Sequence, residues 1–269
     1  MDIGQVLLVG CGKMGGALLD GWIANGLSPS AAFVVEPGPG AEQARATRAA
    51  VHSSVEELPA ELAPSVTVFA VKPQTMAEVA PAYEVYGGRG SVFLSIAAGT
   101  PIAAFEKFLG TGAAIVRSMP NTPAAIGQGM IVACPNGQVT AGMRQACDRL
   151  LGAVGRVAWI DDETHMDGVT AVSGSGPAYV FWLIECLESA GIAVGLPADL
   201  ARQLALETVA GAGALARDAA EDPATLRQNV TSPGGTTAAA LEVLMAEDGL
   251  RPLVARAVDA ATERSRDLA

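Results

Sequence analysis

Short apolar runs alternate with longer stretches of helical periodicity through the first half of the chain. The runs cover 5–10, 32–36, 66–71, 91–97 and 113–118. They are continuous in apolar character rather than alternating, the pattern of strands buried on both faces of a mostly parallel sheet. Between the first two runs, Met14, Ala17, Leu18 and Trp22 recur at helical spacing and Gly26 stands where a helix would stop, which makes a βαβ unit. Ser54-Val55-Glu56-Glu57 has the capping-box form and predicts a short helix before the third run. Two further apolar segments, 128–134 and 156–160, flank a helical stretch around 139–152 and extend the sheet.

Beyond about residue 161 the strand pattern stops. Helices are expected over 163–191, 197–218, 233–246 and 250–267, punctuated by Gly191, Gly195, Pro197, Asp222-Pro223 and Ser232-Pro233-Gly234-Gly235. The run Ala-Gly-Ala-Gly-Ala at 210–214 suits close helix packing. The expected fold is α/β: a Rossmann-type, doubly wound, mostly parallel sheet over 1–160, then an all-helical domain over 161–269. A length of 269 residues fits two such domains.

Composition narrows the function. Half of the residues are hydrophobic and only 4% are aromatic, so large cores of small aliphatic side chains are available. A formal net charge of -11 argues against nucleic acid as a partner, because phosphate binding draws on clustered Lys and Arg. The four cysteines, Cys11, Cys134, Cys147 and Cys186, are scattered singly, so neither a metal site nor a disulfide framework is expected. The opening residues lack a secretory pattern, and Ser173-Gly174-Ser175-Gly176-Pro177 interrupts the best apolar run. A soluble cytoplasmic protein with no membrane partner is the expectation.

The candidate chemistry begins at Gly10-Cys11-Gly12-Lys13-Met14-Gly15, which follows a strand and opens an amphipathic helix. A dinucleotide pyrophosphate needs backbone N–H groups at a helix start, unobstructed by side chains. Gly10 makes the turn, Gly12 leaves room for pyrophosphate, and Gly15 with Gly16 lets the helix pack on the sheet. Glu36, twenty-one positions beyond Gly15, is placed to bond the adenosine ribose. Arg45 and Arg48 lie just downstream, within reach of a 2′-phosphate or merely solvated, so either NADH or NADPH is allowed.

Four later segments resemble the pyrroline-5-carboxylate reductase family. They are Ala70-Val71-Lys72-Pro73-Gln74, Arg117-Ser118-Met119-Pro120-Asn121-Thr122-Pro123, Ser173-Gly174-Ser175-Gly176-Pro177-Ala178-Tyr179 and Ser232-Pro233-Gly234-Gly235-Thr236-Thr237. The resemblance implies an NAD(P)H-dependent enzyme that reduces the cyclic imino acid 1-pyrroline-5-carboxylate to proline. It implies cofactor contacts at Ala70, Val71, Lys72, Pro73, Ala97, Met119, Pro120, Ser175 and Gly176. Lys72 serves equally as an exposed turn residue, and the small residues at 173–177 serve equally for helix packing. The resemblance also implies that Ser232, Gly234, Gly235, Thr236 and Thr237 hold the substrate carboxylate, with Thr237 hydrogen-bonded to the ring nitrogen. A Ser-Pro-Gly-Gly turn entering a helix presents several N–H groups to one point, an anion site without arginine; the alternative is an ordinary helix start with Pro233 in its first turn. Family members form interlocked dimers, some assembled into rings, so a homo-oligomer is implied.

An imine takes its proton from solvent, so the reaction needs positioning more than a strong acid. Only His52 and His165 occur, neither within a family segment, and neither is assigned a role. Two rivals remain at this level: a reductase of another imine or small ketone, and a non-catalytic nucleotide sensor. β-Hydroxyacid dehydrogenases use a lysine in the second domain, and this chain has none between 157 and 269.

Overall fold

A computed structural model describes Met1 and residues 3–268. The first half alternates strand and helix: β1 (Val6–Val9), α1 (Lys13–Ala24), β2 (Ala32–Val35), α2 (Gly40–Ala46), β3 (Ala50–His52) and β4 (Val66–Phe69). Two short helices, α3 (Met76–Val79) and α4 (Glu84–Gly87), lead to β5 (Val92–Ser95), α5 (Ile102–Leu109), β6 (Ile115–Met119), β7 (Gly129–Pro135), α6 (Ala141–Gly152) and β8 (Gly155–Trp159). Together they form one eight-stranded sheet in the order β3-β2-β1-β4-β5-β6-β7-β8. All pairings are parallel except β6 with β7. The segment between these two strands, 120–128, is too short for a crossover helix and returns antiparallel.

The unbroken apolar runs are explained by helices on both faces. Alternation along the strands sends Leu8, Val66, Val68 and Leu94 to one core with Leu18 and Trp22 of α1. Leu7, Val9, Phe69 and Phe93 go to the other, with Phe105 of α5. The Trp22 Nε1–H donates to the Leu150 carbonyl at 2.9 Å, tying α1 to α6. In the second core Phe69 stacks on Phe93 and Phe105 at 6.0 and 5.8 Å.

The expected helix over 163–191 is interrupted. A turn at Glu163–His165 leads into α7 (Met166–Val169), a π turn at Thr170–Gly174, and only then α8 (Gly176–Ala193). Pro177 lacks an N–H and would collide with the preceding turn inside a helix, so it starts a new one instead. The remaining helices are α9 (Ala198–Asp218), α10 (Pro223–Asn229), α11 (Thr236–Leu244) and α12 (Leu250–Asp267). Asp222 caps α10, accepting from the N–H groups of Ala224 and Thr225 at 2.9 Å.

The sheet ends at Trp159, next to the expected boundary at 160, whereas compactness divides the chain at 174/175. Residues 1–174 and 262–269 form one unit and 175–261 the other. Two contacts explain the later division: Met166 is buried in the second core, and Ser265 Oγ donates to Asp167 Oδ1 at 2.7 Å. Among the described residues no helix is long and apolar enough to cross a membrane.

Candidate active site

β1 lies between β2 and β4, so successive crossovers leave it in opposite directions and a crevice opens at the carboxyl ends of these strands. The glycine loop sits there. Gly10 has φ +90°, a conformation that glycine adopts without strain, and its N–H donates to the Val35 carbonyl at 2.9 Å. A Cβ on Gly15 would lie 2.5 Å from the Gly10 carbonyl oxygen and 3.2 Å from Ala70 Cβ. Helix α1 can therefore approach the sheet only with glycine there. A Cβ on Gly12 would meet nothing within 4 Å. Gly12 is the N-terminal cap of α1 and supplies no side-chain hydrogen bond, so the first N–H groups of the helix face open space. That cradle fits a dinucleotide pyrophosphate.

Glu36 closes the loop from the end of β2. Its Oε2 accepts from the Cys11 N–H at 2.6 Å and its Oε1 from the Gly38 N–H at 2.7 Å. The Cys11 thiol is buried in the core, and burial, with Glu36 and Asp20 nearby, pushes its pKa up to about 11. It stays a neutral thiol, and what Cys11 offers a ligand is backbone.

A cavity of about 540 Å³ opens beside this loop and gathers Gly10, Gly12, Glu36, Ala70, Val71 and Lys72 from the expected cofactor residues. Lys13, Met14 and Pro73 are not on its lining: Lys13 is exposed, Met14 packs against the core, and Pro73 opens the turn that Lys72 caps. Ser53, Ser54, Thr75 and Tyr83 also line it, and the sequence reading did not single them out as cofactor residues. Ser54 and Val55 enter the cavity because the capping-box segment forms only one tight turn, Val55–Glu57, after edge strand β3.

Farther along the strand ends, Ser95 orders two neighbours. Its Oγ accepts from the Ala97 N–H at 3.1 Å, and its carbonyl accepts from Ser118 Oγ at 2.9 Å. Asn121 accepts from the Met130 N–H at 2.9 Å and donates to the Ser173 carbonyl at 3.2 Å. It thereby fastens the π turn to the sheet, where Met119 packs against Gly174 so closely that a Cβ there would collide with the Met119 methyl. Pro120 is buried beside them in sequence. Arg117, buried in β6, pairs with Glu163 at 2.8 Å; the same Glu163 oxygen accepts from the Ile102 N–H that starts α5.

In the second unit, Ser175 caps α8 and Gly176 is its first residue, with space for a Cβ. The Ser232–Thr237 segment forms a turn rather than the expected helix start at Pro233. Gly234 takes φ +69°, and the Gly235 N–H donates to the Ser232 carbonyl at 3.0 Å. Helix α11 then begins at Thr236 with Gly235 as its cap and no side-chain acceptor on its first N–H groups. Ser232, Gly234 and Thr236 are exposed, and Gly235 and Thr237 are half-buried. The N–H groups that open α11 have no side-chain acceptor, and backbone donors at a helix start suit an anion.

Two family models match: pyrroline-5-carboxylate reductase dimerisation over residues 163–268, and NADP oxidoreductase, coenzyme F420-dependent, over 5–99. The pyrroline-5-carboxylate reductase of Pseudomonas aeruginosa is 41% identical over 271 aligned residues, covering 100% of this chain and 98% of that protein. The solved pyrroline-5-carboxylate reductase of Coxiella burnetii superposes with a TM-score of 0.93 at 31% identity, covering 100% of this chain and 99% of the other. A Plasmodium falciparum pyrroline carboxylate reductase solved with NADP bound gives 0.85 at 32% identity, with coverage of 100% and 99%. With full-length matches at these identities, the chain belongs to the pyrroline-5-carboxylate reductase family.

Proposed function

We propose that this protein reduces 1-pyrroline-5-carboxylate to L-proline, the last step of proline biosynthesis, and that residues 161–269 serve substrate binding and dimerisation. NADH or NADPH, when bound, supplies the hydride that adds to the imine carbon, while the ring nitrogen takes a proton from solvent. The observation that carries the reading is the Ser232–Thr237 turn. Its glycines free the N–H groups at the start of α11, which suit the substrate carboxylate, and the Thr237 hydroxyl is the residue we assign to the ring nitrogen. Met119 and Pro120 supply an apolar wall for the nicotinamide ring, held by their neighbours Ser118 and Asn121, which donate to the Ser95 and Ser173 carbonyls.

A homo-oligomer follows from the helices of the second unit. None of the eighteen residues of α8 is buried within the chain, and Phe181 and Trp182 are 57% and 64% exposed. A helix so apolar on every face needs a covering surface, and a second copy forming a dimer provides it. Rings of such dimers would need a further surface, and sedimentation measures the size directly. The protein works in a reducing cytoplasm, in keeping with its free cysteines.

The test follows loss of NADH and NADPH absorbance with 1-pyrroline-5-carboxylate, a six-membered cyclic imine and a 2-keto acid. Turnover of the five-membered imine with proline as product supports the proposal. Turnover of the keto acid alone, or of no substrate despite cofactor binding, removes it.

A further inference from the structure

We infer that this chain selects NADH over NADPH and that Glu36 is the specificity-determining residue, an inference that rests on the reductase reading above. Glu36 is held in place. Its two carboxylate oxygens accept from Cys11 and Gly38 N–H groups, charge-assisted bonds that must break before the side chain can swing away. Each oxygen keeps a further lone pair. A fixed acceptor at the end of β2 takes hydrogen bonds from ribose hydroxyls and repels a phosphate put in their place.

The lining of the cavity is acidic beyond Glu36 as well. Glu56 and Glu78 line the same cavity, and its one basic lining residue is Lys72. Lys72 follows the end of β4, two strands from β2 in the sheet order and thus about 9.6 Å across at the usual strand spacing. The arginines that leave the sequence reading open are on the wrong side. Arg45 lies in the last turn of α2, which runs back from the end of β2, and Arg48 lies just before β3, which is parallel to β2. Both therefore sit toward the opposite edge of the sheet from Glu36; both are exposed, and neither lines the cavity. A 2′-phosphate would meet carboxylates where NADPH-selective sites place arginine.

Isothermal titration of the intact protein with NADH and with NADPH, for the native chain and for Glu36→Ser, tests the inference, with kcat/KM for both cofactors measured alongside. The native chain is expected to bind NADH at least ~10-fold more tightly than NADPH, and Glu36→Ser to shrink that ratio by about 10-fold or more. The ratio is the informative quantity, because loosening of the loop that Glu36 also clamps weakens both cofactors and cancels. Equal affinities or a preference for NADPH in the native chain overturns the inference, as does a Glu36→Ser ratio equal to the native one. The titration needs no imine. Tight NADH binding without imine turnover would therefore sink the reductase reading alone, whereas imine reduction with an NADPH preference would sink the selectivity alone.

Discussion

Gly12→Ala separates binding from folding at the glycine loop. Gly12 has φ −70° and ψ −165°, an extended conformation open to alanine, and its added Cβ would meet no protein atom within 4 Å. Replacing glycine at such a position lowers the entropy of the unfolded chain and raises stability by about 0.4–1 kcal/mol, or roughly 1–4 °C in Tm. The same methyl would stand in the space where the pyrophosphate approaches α1. Crowding of that kind costs about 1–3 kcal/mol, a Kd for NAD(P)H weakened roughly 5- to 150-fold. Thermal melts without ligand and calorimetric titrations with each dinucleotide read the two effects separately. Unchanged affinity in a stable Gly12→Ala protein would refute the placement of the cofactor on this loop, and a lowered Tm would refute the geometry of Gly12.

Other outcomes follow from neighbouring sites. Gly15→Ala places a Cβ 2.5 Å from the Gly10 carbonyl, so it should lower stability by about 1–3 kcal/mol in denaturant titrations, unlike Gly12→Ala. Thr237→Ala should remove a hydrogen bond to a charged nitrogen, lowering kcat/KM for the imine about 10- to 150-fold with cofactor affinity unchanged; an unaltered kcat/KM would take Thr237 out of the mechanism. Glu163→Ala leaves Arg117 buried without its partner, and since Glu163 is itself 29% exposed the loss is placed at about 1–3 kcal/mol, with Glu163→Gln milder. Burial pushes the Cys11 and Cys147 thiols up from the ordinary thiol value to about 11 and about 12. Between pH 9 and 11 the unfolded chain then binds fewer protons than the folded one, so stability to urea should fall as pH rises through that window. A rise there would contradict the burial of both thiols.

The long buried strands were legible because their apolar runs are unbroken, and the glycine loop because strand, glycines and helix follow in order. Strand β3 was not, since Ala50, Val51 and His52 make a three-residue edge strand, half-buried throughout, without a pattern to read. The helix expected over 163–191 failed at Gly174-Ser175-Gly176-Pro177, where apolar periodicity continues but Pro177 cannot sit inside a helix. Helix α2 is short and carries a weak signal beside the strands it joins, whereas α5 has Ile102, Phe105 and Leu109 buried at helical spacing, a readable pattern that went unused. At the site, Glu36 was legible by its spacing from Gly15, but its bonds to Cys11 and Gly38 were not, because they depend on how the loop after β1 meets the end of β2. The orientation of Arg45 and Arg48 was equally hidden until the direction of α2 was known.

The reductase reading is tested most directly by incubating the protein with 1-pyrroline-5-carboxylate and NADH, then identifying the product as nicotinamide absorbance falls. Stoichiometric conversion to L-proline, slowed about 10- to 150-fold in Thr237→Ala at unchanged cofactor affinity, is the expected result. Cofactor binding with no proline formed from the imine would contradict it.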